Sequence, residues 1–172
     1  MAFYCEHIAL QSVKENDRIM IYGPAIMNAE TIISKENLEK AKTVGVGQNR
    51  KNEIDRVRET YPFLTDFREI SQRALLYSLE DGDIDAAILD ITKTAKVPDL
   101  PHRPLCRTDY VSYVLVVDRE FAKTDAFADF VDSCNRAADR LNDRAYLAAS
   151  LEVDEKWLDE QNIRFMKLKE PG

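Results

Sequence analysis

The chain has 172 residues, 32% charged and 45% hydrophobic, with a formal net charge of -7. That content supports a packed core in one domain or two small lobes and excludes a disordered tail. No run approaches about 18 uncharged apolar residues, which excludes a spanning helix, and the acidic balance argues against direct nucleic-acid binding by this chain, because phosphate contacts need concentrated Lys and Arg.

In chain order, the first residues, Met1-Ala2-Phe3-Tyr4-Cys5-Glu6, lack the basic-then-apolar pattern of a secretory signal, so a cytoplasmic protein is expected. Ile19 to Tyr22 reads as a strand closed by the turn signal Gly23-Pro24, and Thr31 to Ile33 as a second β-branched run. Asn37 to Lys40 reads as a connecting turn or short helix. Thr43-Val44-Gly45-Val46-Gly47 reads as a buried strand, its glycines marking a close approach by backbone or ligand. From Asn49 to Thr60 the charges and the helical spacing of Ile54 and Val57 predict a helix ending at Tyr61-Pro62. Phe63 to Phe67 reads as a weak strand. Ser71 is placed to cap a helix burying Ala74, Leu75 and Leu79, which Asp81-Gly82-Asp83 stops. Ile84 to Leu89 reads as the next strand, ending at Asp90.

A connector with Pro98, Pro101 and Pro104 leads to Tyr110 to Val117, the longest β-rich run, expected at the centre of a sheet. From Thr124 to about Ser150 one long helix is expected, with Phe127, Phe130, Cys134, Ala137, Leu141 and Ala145 as its core stripe. Asp154 is placed to cap a short helix with Trp157 and Leu158, and Ile163 to Leu168 to form a closing strand. The alternation of strand and helix from Thr43 to Asp90 predicts an α/β fold with a mixed, mostly parallel sheet and flanking helices.

Cys5, Cys106 and Cys134 are an odd, sparse set, which is no disulfide framework and fits reduced thiols in the cytoplasm. Cys5 and His7 with His102 and Cys106 offer the ligand types of a zinc site, but their spacing matches no common pattern, so no metal is expected. Asp81, Asp83 and Asp85 read as a solvated turn rather than a metal cluster. The chain has no G-x-S-x-G elbow, phosphate loop or G-x-G-x-x-G fingerprint, and no catalytic residue or cofactor is expected.

Four segments together resemble a known fold: Val44-Gly45-Val46, Gly82-Asp83-Ile84-Asp85-Ala86-Ala87-Ile88, Tyr113 to Val117, and the helix bearing Phe130, Cys134 and Asn135. They resemble the second half of a type 2 periplasmic-binding-protein fold. With Met1-Ala2-Phe3 and Gly23-Pro24 in the same order, the chain is similar to the C-terminal effector domain of YhfZ-type transcriptional regulators. The resemblance implies a partial fold of that kind, without the N-terminal DNA-binding segment and most of the first lobe. It makes residues 35–100 the second lobe, and 1–34 with 101–172 a remnant of the first lobe plus crossover strands and C-terminal helices. It makes Gly23 and Pro24 the interlobe hinge. Relatives carry a small hydroxyl residue and an acid after the strand that ends at Val46, whereas this chain has Gln48, Asn49, Arg50, Lys51 and Asn52.

In open parallel sheets ligands bind beyond the carboxyl ends of strands. Three such positions are expected here. Gln48, Asn49, Arg50 and Asn52 stand at a helix start, where the dipole and a guanidinium suit an anion; an ordinary polar turn is the alternative. Ser71 is either a ligand contact or a simple cap. Asp90 and Thr92 follow a strand, where Asp90 could accept from a ligand amine or hydroxyl or cap the next turn. The function expected is non-enzymatic sensing of a small molecule, an anionic metabolite, as part of a transcriptional regulator. The alternatives are a solute-binding protein of a transport system, which the absent signal argues against, and a ligand-free dimeric interaction module. A homodimer is expected, because an exposed sheet edge is covered most simply by a second copy.

Overall fold

In the computed structural model of the chain, residues 1–170 are described. Their order is β1 (Ala2–Cys5), α1 (Glu6–Glu15), β2 (Ile19–Met27), β3 (Glu30–Ser34), β4 (Thr43–Gly47), α2 (Lys51–Thr60), β5 (Asp66–Ile70), α3 (Leu75–Asp81), β6 (Ala86–Asp90), α4 (Ile91–Thr94), β7 (His102–Pro104), β8 (Val111–Asp118), α5 (Asp125–Leu141), α6 (Arg144–Leu151) and β9 (Arg164–Phe165). Short 3-10 turns at Leu38–Lys40, Phe121–Lys123 and Glu155–Glu160 complete the chain. None of the described helices is long and apolar enough to cross a membrane.

Local chemistry accounts for most boundaries. Thr124 accepts from the Phe127 amide and starts α5, and Asp154 accepts from the Lys156 amide and starts the last 3-10 turn. Gly82 ends α3 at φ 86°, where an L side chain would be strained, and the Asp83 amide closes back on the Ser78 carbonyl.

Four expectations shift. The closing strand expected from Ile163 to Leu168 is reduced to Arg164–Phe165. Ser71 does not cap α3, whose N-cap is Ala74; its carbonyl accepts from the Ala74 amide in a turn, and its side chain is exposed. The strand expected at Phe63 to Phe67 begins at Asp66, because residues 61–64 form a turn closed by the Leu64 amide on the Tyr61 carbonyl. The single helix expected to Ser150 breaks at Asn142 and Asp143. The Asp143 carboxylate accepts from the Tyr146 amide and restarts the chain as α6, leaving Ala145 exposed.

The chain divides into two compact units. Unit 1 comprises Met1–Ala29, Tyr110–Ser150 and the segment from Ile163. Its sheet has the order β1-β8-β2-β9 with every pairing antiparallel. The long run read as central is central: β8 lies between β1 and β2. Its alternating residues bury both faces, Val114 and Val116 with Ala9 of α1, Leu115 and Val117 with Phe127 and Val131 of α5.

Unit 2 comprises Glu30–Asp109 and Leu151–Asn162. Its sheet has the order β5-β4-β6-β3-β7, with β4 parallel to β5 and β6, and β3 antiparallel to β6 and β7. The fold is mixed α/β, as expected, with its parallel part confined to β5-β4-β6. Ile33, Leu75, Leu79, Ile84, Ala87 and Leu89 form a core cluster between the sheet and α3. Gly45 permits that approach: a Cβ there would lie 2.9 Å from Leu75 Cδ2 and would collide with Ile84.

The chain passes between the units at 29–30, 109–110, 150–151 and 162–163, where the sequence reading bounded the second lobe at 35 and 100. Gly23 and Pro24, read as the hinge, lie at none of these crossings. They sit inside β2 opposite Leu115 and Val114 of β8, where register shifts accommodate a proline that lacks an amide donor. The two strands entering the first crossings are tied together on the unit 1 side. The Asn28 amide donates to the Tyr110 carbonyl (3.1 Å), the Tyr110 amide to Asn28 Oδ1 (3.0 Å) and the Ala29 amide to Ser112 Oγ (2.8 Å).

Candidate functional site

The candidate site lies at one edge of the unit 2 sheet. Gly47 ends β4 directly opposite Ile70, which ends β5, and the parallel neighbour β6 ends at Asp90. The β4–α2, β5–α3 and β6–α4 connections therefore leave the sheet at its carboxyl edge, the position at which open α/β sheets hold ligands. Glu30 at the start of β3 joins them, because antiparallel register sets it opposite Asp90.

Of the seven residues singled out for ligand binding, Gln48, Asn49 and Arg50 lie on the β4–α2 connection, Asn52 on the first turn of α2, Ser71 on the β5–α3 connection, Asp90 at the end of β6 and Thr92 on α4. Gln48 and Asn49 are exposed, and Asn49 takes a left-handed backbone (φ 61°) with its amide donating to Glu69 Oε2 at 3.2 Å. Asn52 is exposed on the first turn of α2, and Ser71 is exposed in the β5–α3 turn. Asp90 acts as a cap: its Oδ1 accepts from the Thr92 amide (2.9 Å) and the Thr92 hydroxyl (2.6 Å). The Thr94 hydroxyl lies 2.6 Å from that of Thr31, fastening α4 to β3. Lys93 Nζ donates to the Gln72 carbonyl at 3.2 Å, joining the β6–α4 and β5–α3 connections.

Arg50 is the N-cap residue of α2, and its side chain is turned inward, with 15% of it exposed. Its guanidinium donates to Glu53 one helical turn on and lies 3.9 Å from Glu30 Oε1. The side chains of Glu53 and Glu30 are 9% and 6% exposed, so this is a buried cluster of one guanidinium and two carboxylates. Burial pushes the Glu53 carboxyl up to about 7; Arg50 opposes that rise, Glu30 adds to it, and the charge of Arg56 opposes it weakly. The guanidinium read as a ready anion clamp is thus engaged by carboxylates of its own unit.

Gly47 explains how the cluster closes. Its missing Cβ leaves room for the Gln72 amide oxygen and for Arg50 Cδ, which would lie 3.0 Å from a Cβ. The close approach that the glycine marked is made by these two side chains. Gln72 Oε1 is buried there without a hydrogen-bond partner.

Glu30, Glu53 and Lys93 were not singled out from sequence, and Gln72 was noted only as the neighbour of Ser71. Glu53 carried a signal, since its spacing of three from Arg50 on a helix puts the two on one face. Glu30 carried none, because strand pairing alone brings it to Asp90 and Arg50.

Asp85 and His102 serve the fold. Asp85 Oδ2 accepts from the Lys42 and Thr43 amides (2.8 and 3.0 Å), and these bonds hold its carboxyl below the ordinary range. The His102 ring nitrogens face the Leu100 and Trp157 carbonyls, and the ring lies tilted against that of Trp157, with centroids 4.5 Å apart. Cys5 and His7 belong to unit 1, His102 and Cys106 to unit 2. Among the described residues no three His, Cys, Asp or Glu side chains are grouped to hold a metal ion.

No protein-family model matches the chain, and no curated protein matches it. Solved structures do. A zinc-bound ligand-binding component of an ABC-type import system from Staphylococcus aureus is 13% identical, with a TM-score of 0.73 over 97% of this chain and 67% of that one. The alkanesulfonate-binding protein SsuA from Xanthomonas axonopodis pv. citri, bound to MOPS, is 16% identical, with a TM-score of 0.61 over 97% of this chain and 68% of that one. An ABC transporter protein from Parabacteroides distasonis is 12% identical, with a TM-score of 0.67 over 96% of this chain and 67% of that one. At such identities the likeness establishes the fold, which is periplasmic-binding-protein-like. This chain spans about two thirds of the length of each of these proteins.

Proposed function

We propose that the chain is a non-enzymatic module that binds a small anionic metabolite at the carboxyl edge of the unit 2 sheet. The observation that carries this reading is the convergence there of three strand-to-helix connections around Arg50, the buried guanidinium at the start of α2. Gln48, Asn49 and Asn52 offer polar contacts beside it, with Ser71, Asp90 and Thr92 on the adjoining connections. The fold supports the reading, since the proteins that share it include a binding protein holding the sulfonate MOPS.

In its finer form the module senses its ligand in the cytoplasm as the effector part of a YhfZ-type regulator, without itself touching DNA. The second reading, a solute-binding component of an import system, is favoured by the description of the Staphylococcus aureus protein. A homodimer accompanies either, and the exposed Phe3 and Tyr4 on edge strand β1 support pairing with a second copy.

The test is sulfate binding followed through the amides of residues 48–52 in wild type, Arg50→Lys and Arg50→Ala. Loss of the bidentate fork in Arg50→Lys weakens binding about tenfold or more, and Arg50→Ala abolishes it. Unchanged sulfate affinity in the folded Lys variant would remove Arg50 from the site. Native mass spectra of the purified chain report the dimer and any co-purified ligand mass in the same preparation.

A further inference from the structure

The Arg50 cluster has a charge balance that the binding reading leaves unused. Within unit 2 two carboxylates, Glu30 of β3 and Glu53 of α2, face one guanidinium, and all three side chains are at least mostly buried. The charge of Arg56 also acts on Glu53, less than that of Arg50 or Glu30. With both carboxylates ionised this trio carries a net negative charge, and a further anion beside Arg50 would be repelled in a medium that screens poorly. With one proton on the trio its charge is zero, and the same anion meets the guanidinium with one carboxylate fewer against it.

We propose that Glu53 is a proton-controlled latch on Arg50: as a carboxylate it holds the guanidinium, and as a carboxylic acid it releases it to an anionic ligand. The proposal rests on the binding reading above. The proton comes from solvent and resides on the Glu53 carboxyl, so one proton is taken up for each anion bound above the midpoint of the latch. Protonation of Glu53 acts on Arg50 because Glu53 makes the direct bond to the guanidinium, whereas Glu30 stands at 3.9 Å; the burial of Glu53 outweighs that bond and draws the proton to it. Burial, which holds the Glu53 carboxyl near 7, sets the latch within the range over which intracellular pH varies. Ligand affinity therefore rises as pH falls through that region, and binding reciprocally raises the affinity of Glu53 for its proton.

The test uses the full chain with labelled Glu carboxyl carbons and Arg guanidinium nitrogens, the Glu53 signal being assigned with Glu53→Gln. Inorganic sulfate, doubly charged throughout the range, is the probe. In the ligand-free protein Glu53 titrates near neutrality and the Arg50 Nε resonance moves with the same midpoint. Sulfate binds about tenfold more tightly near pH 6 than near pH 8, as one proton's occupancy requires. Glu53→Gln, neutral at every pH, binds near pH 8 as wild type does near pH 6. Titration of Glu53 in the ordinary carboxylate range, an Arg50 signal that ignores it, or a pH dependence that survives in Glu53→Gln would each overturn the proposal. Coupled titration of Glu53 and Arg50 with no sulfate binding at either pH would uphold the latch and refute the anion-binding reading instead.

Discussion

Glu53 is buried on the first turn of a helix, where a carboxylate interacts well with the dipole but poorly with its apolar surroundings. Its folded carboxyl titrates at about 7, above the ordinary value of 4.5. A group raised on folding contributes stability that is complete below its unfolded value and is lost as pH rises through the folded one. Denaturant unfolding of wild type is therefore expected to show on the order of 2–3 kcal/mol less stability at about pH 8 than at about pH 5 from this residue, a difference that Glu53→Gln removes. Identical pH profiles for the two proteins would refute it. Asp85 acts in the opposite sense: its carboxyl is held low by two backbone amides, so its contribution is present at neutral pH and lost in acid. At this scale the sequence was partly legible. Arg50 and the spacing to Glu53 were visible, but Arg50 read as available to a ligand because Glu30, twenty residues earlier, gave no local sign of reaching it.

Among the elements, α5 shows how a helix face can serve two tasks. Phe127, Val131 and Ala138 are buried in unit 1, and of these only Phe127 belonged to the stripe read from sequence. Seven residues apart, Asn135 on α5 and Asn142 at its C-cap each pair with backbone in the manner of a neighbouring strand. Asn135 exchanges bonds with the Leu168 amide and carbonyl (2.7 and 3.0 Å), and Asn142 with those of Phe165 (2.9 and 2.8 Å). These two side chains do for the closing segment what a longer strand would do, and β9 needs only two residues. Asn135→Ala is expected to cost about 1–3 kcal/mol and to speed exchange of the Leu168 amide, because a half-buried carbonyl and amide lose their partner. An unaltered exchange rate at Leu168 would show that the segment is held by its apolar contacts instead. The stripe read from sequence included Ala137 and Ala145, which are exposed. Helical period locates a face but not its edges, and it does not register that Asn142 turns away to bond another segment.

For the whole molecule, each of the two units buries apolar clusters of its own, and the chain crosses four times between the units. Leu79 is fully buried in the unit 2 cluster. Leu79→Ala should cost about 2–5 kcal/mol. Hydrogen exchange should then quicken in β4, β5 and β6 before it does in β8. Equal loosening of β8 would mean that the two cores open as one. The elements β1, α1, α4 and β7 were not read from the sequence. What the sequence determined by itself was local: the strands β2, β3, β4, β6 and β8, the helices α2 and α3, the central place of β8, the glycine stop of α3, and the α/β class. Those follow from side-chain period and from turn chemistry within a few residues. The tertiary structure alone decided which strands pair, that parallel pairing stops at β6, that the units meet the chain at Ala29 and Tyr110 rather than at Gly23 and Pro24, and that Arg50 faces two carboxylates. Each of these depends on contacts between residues far apart in the chain, whose energies appear only when the sheet and its helices exclude water together.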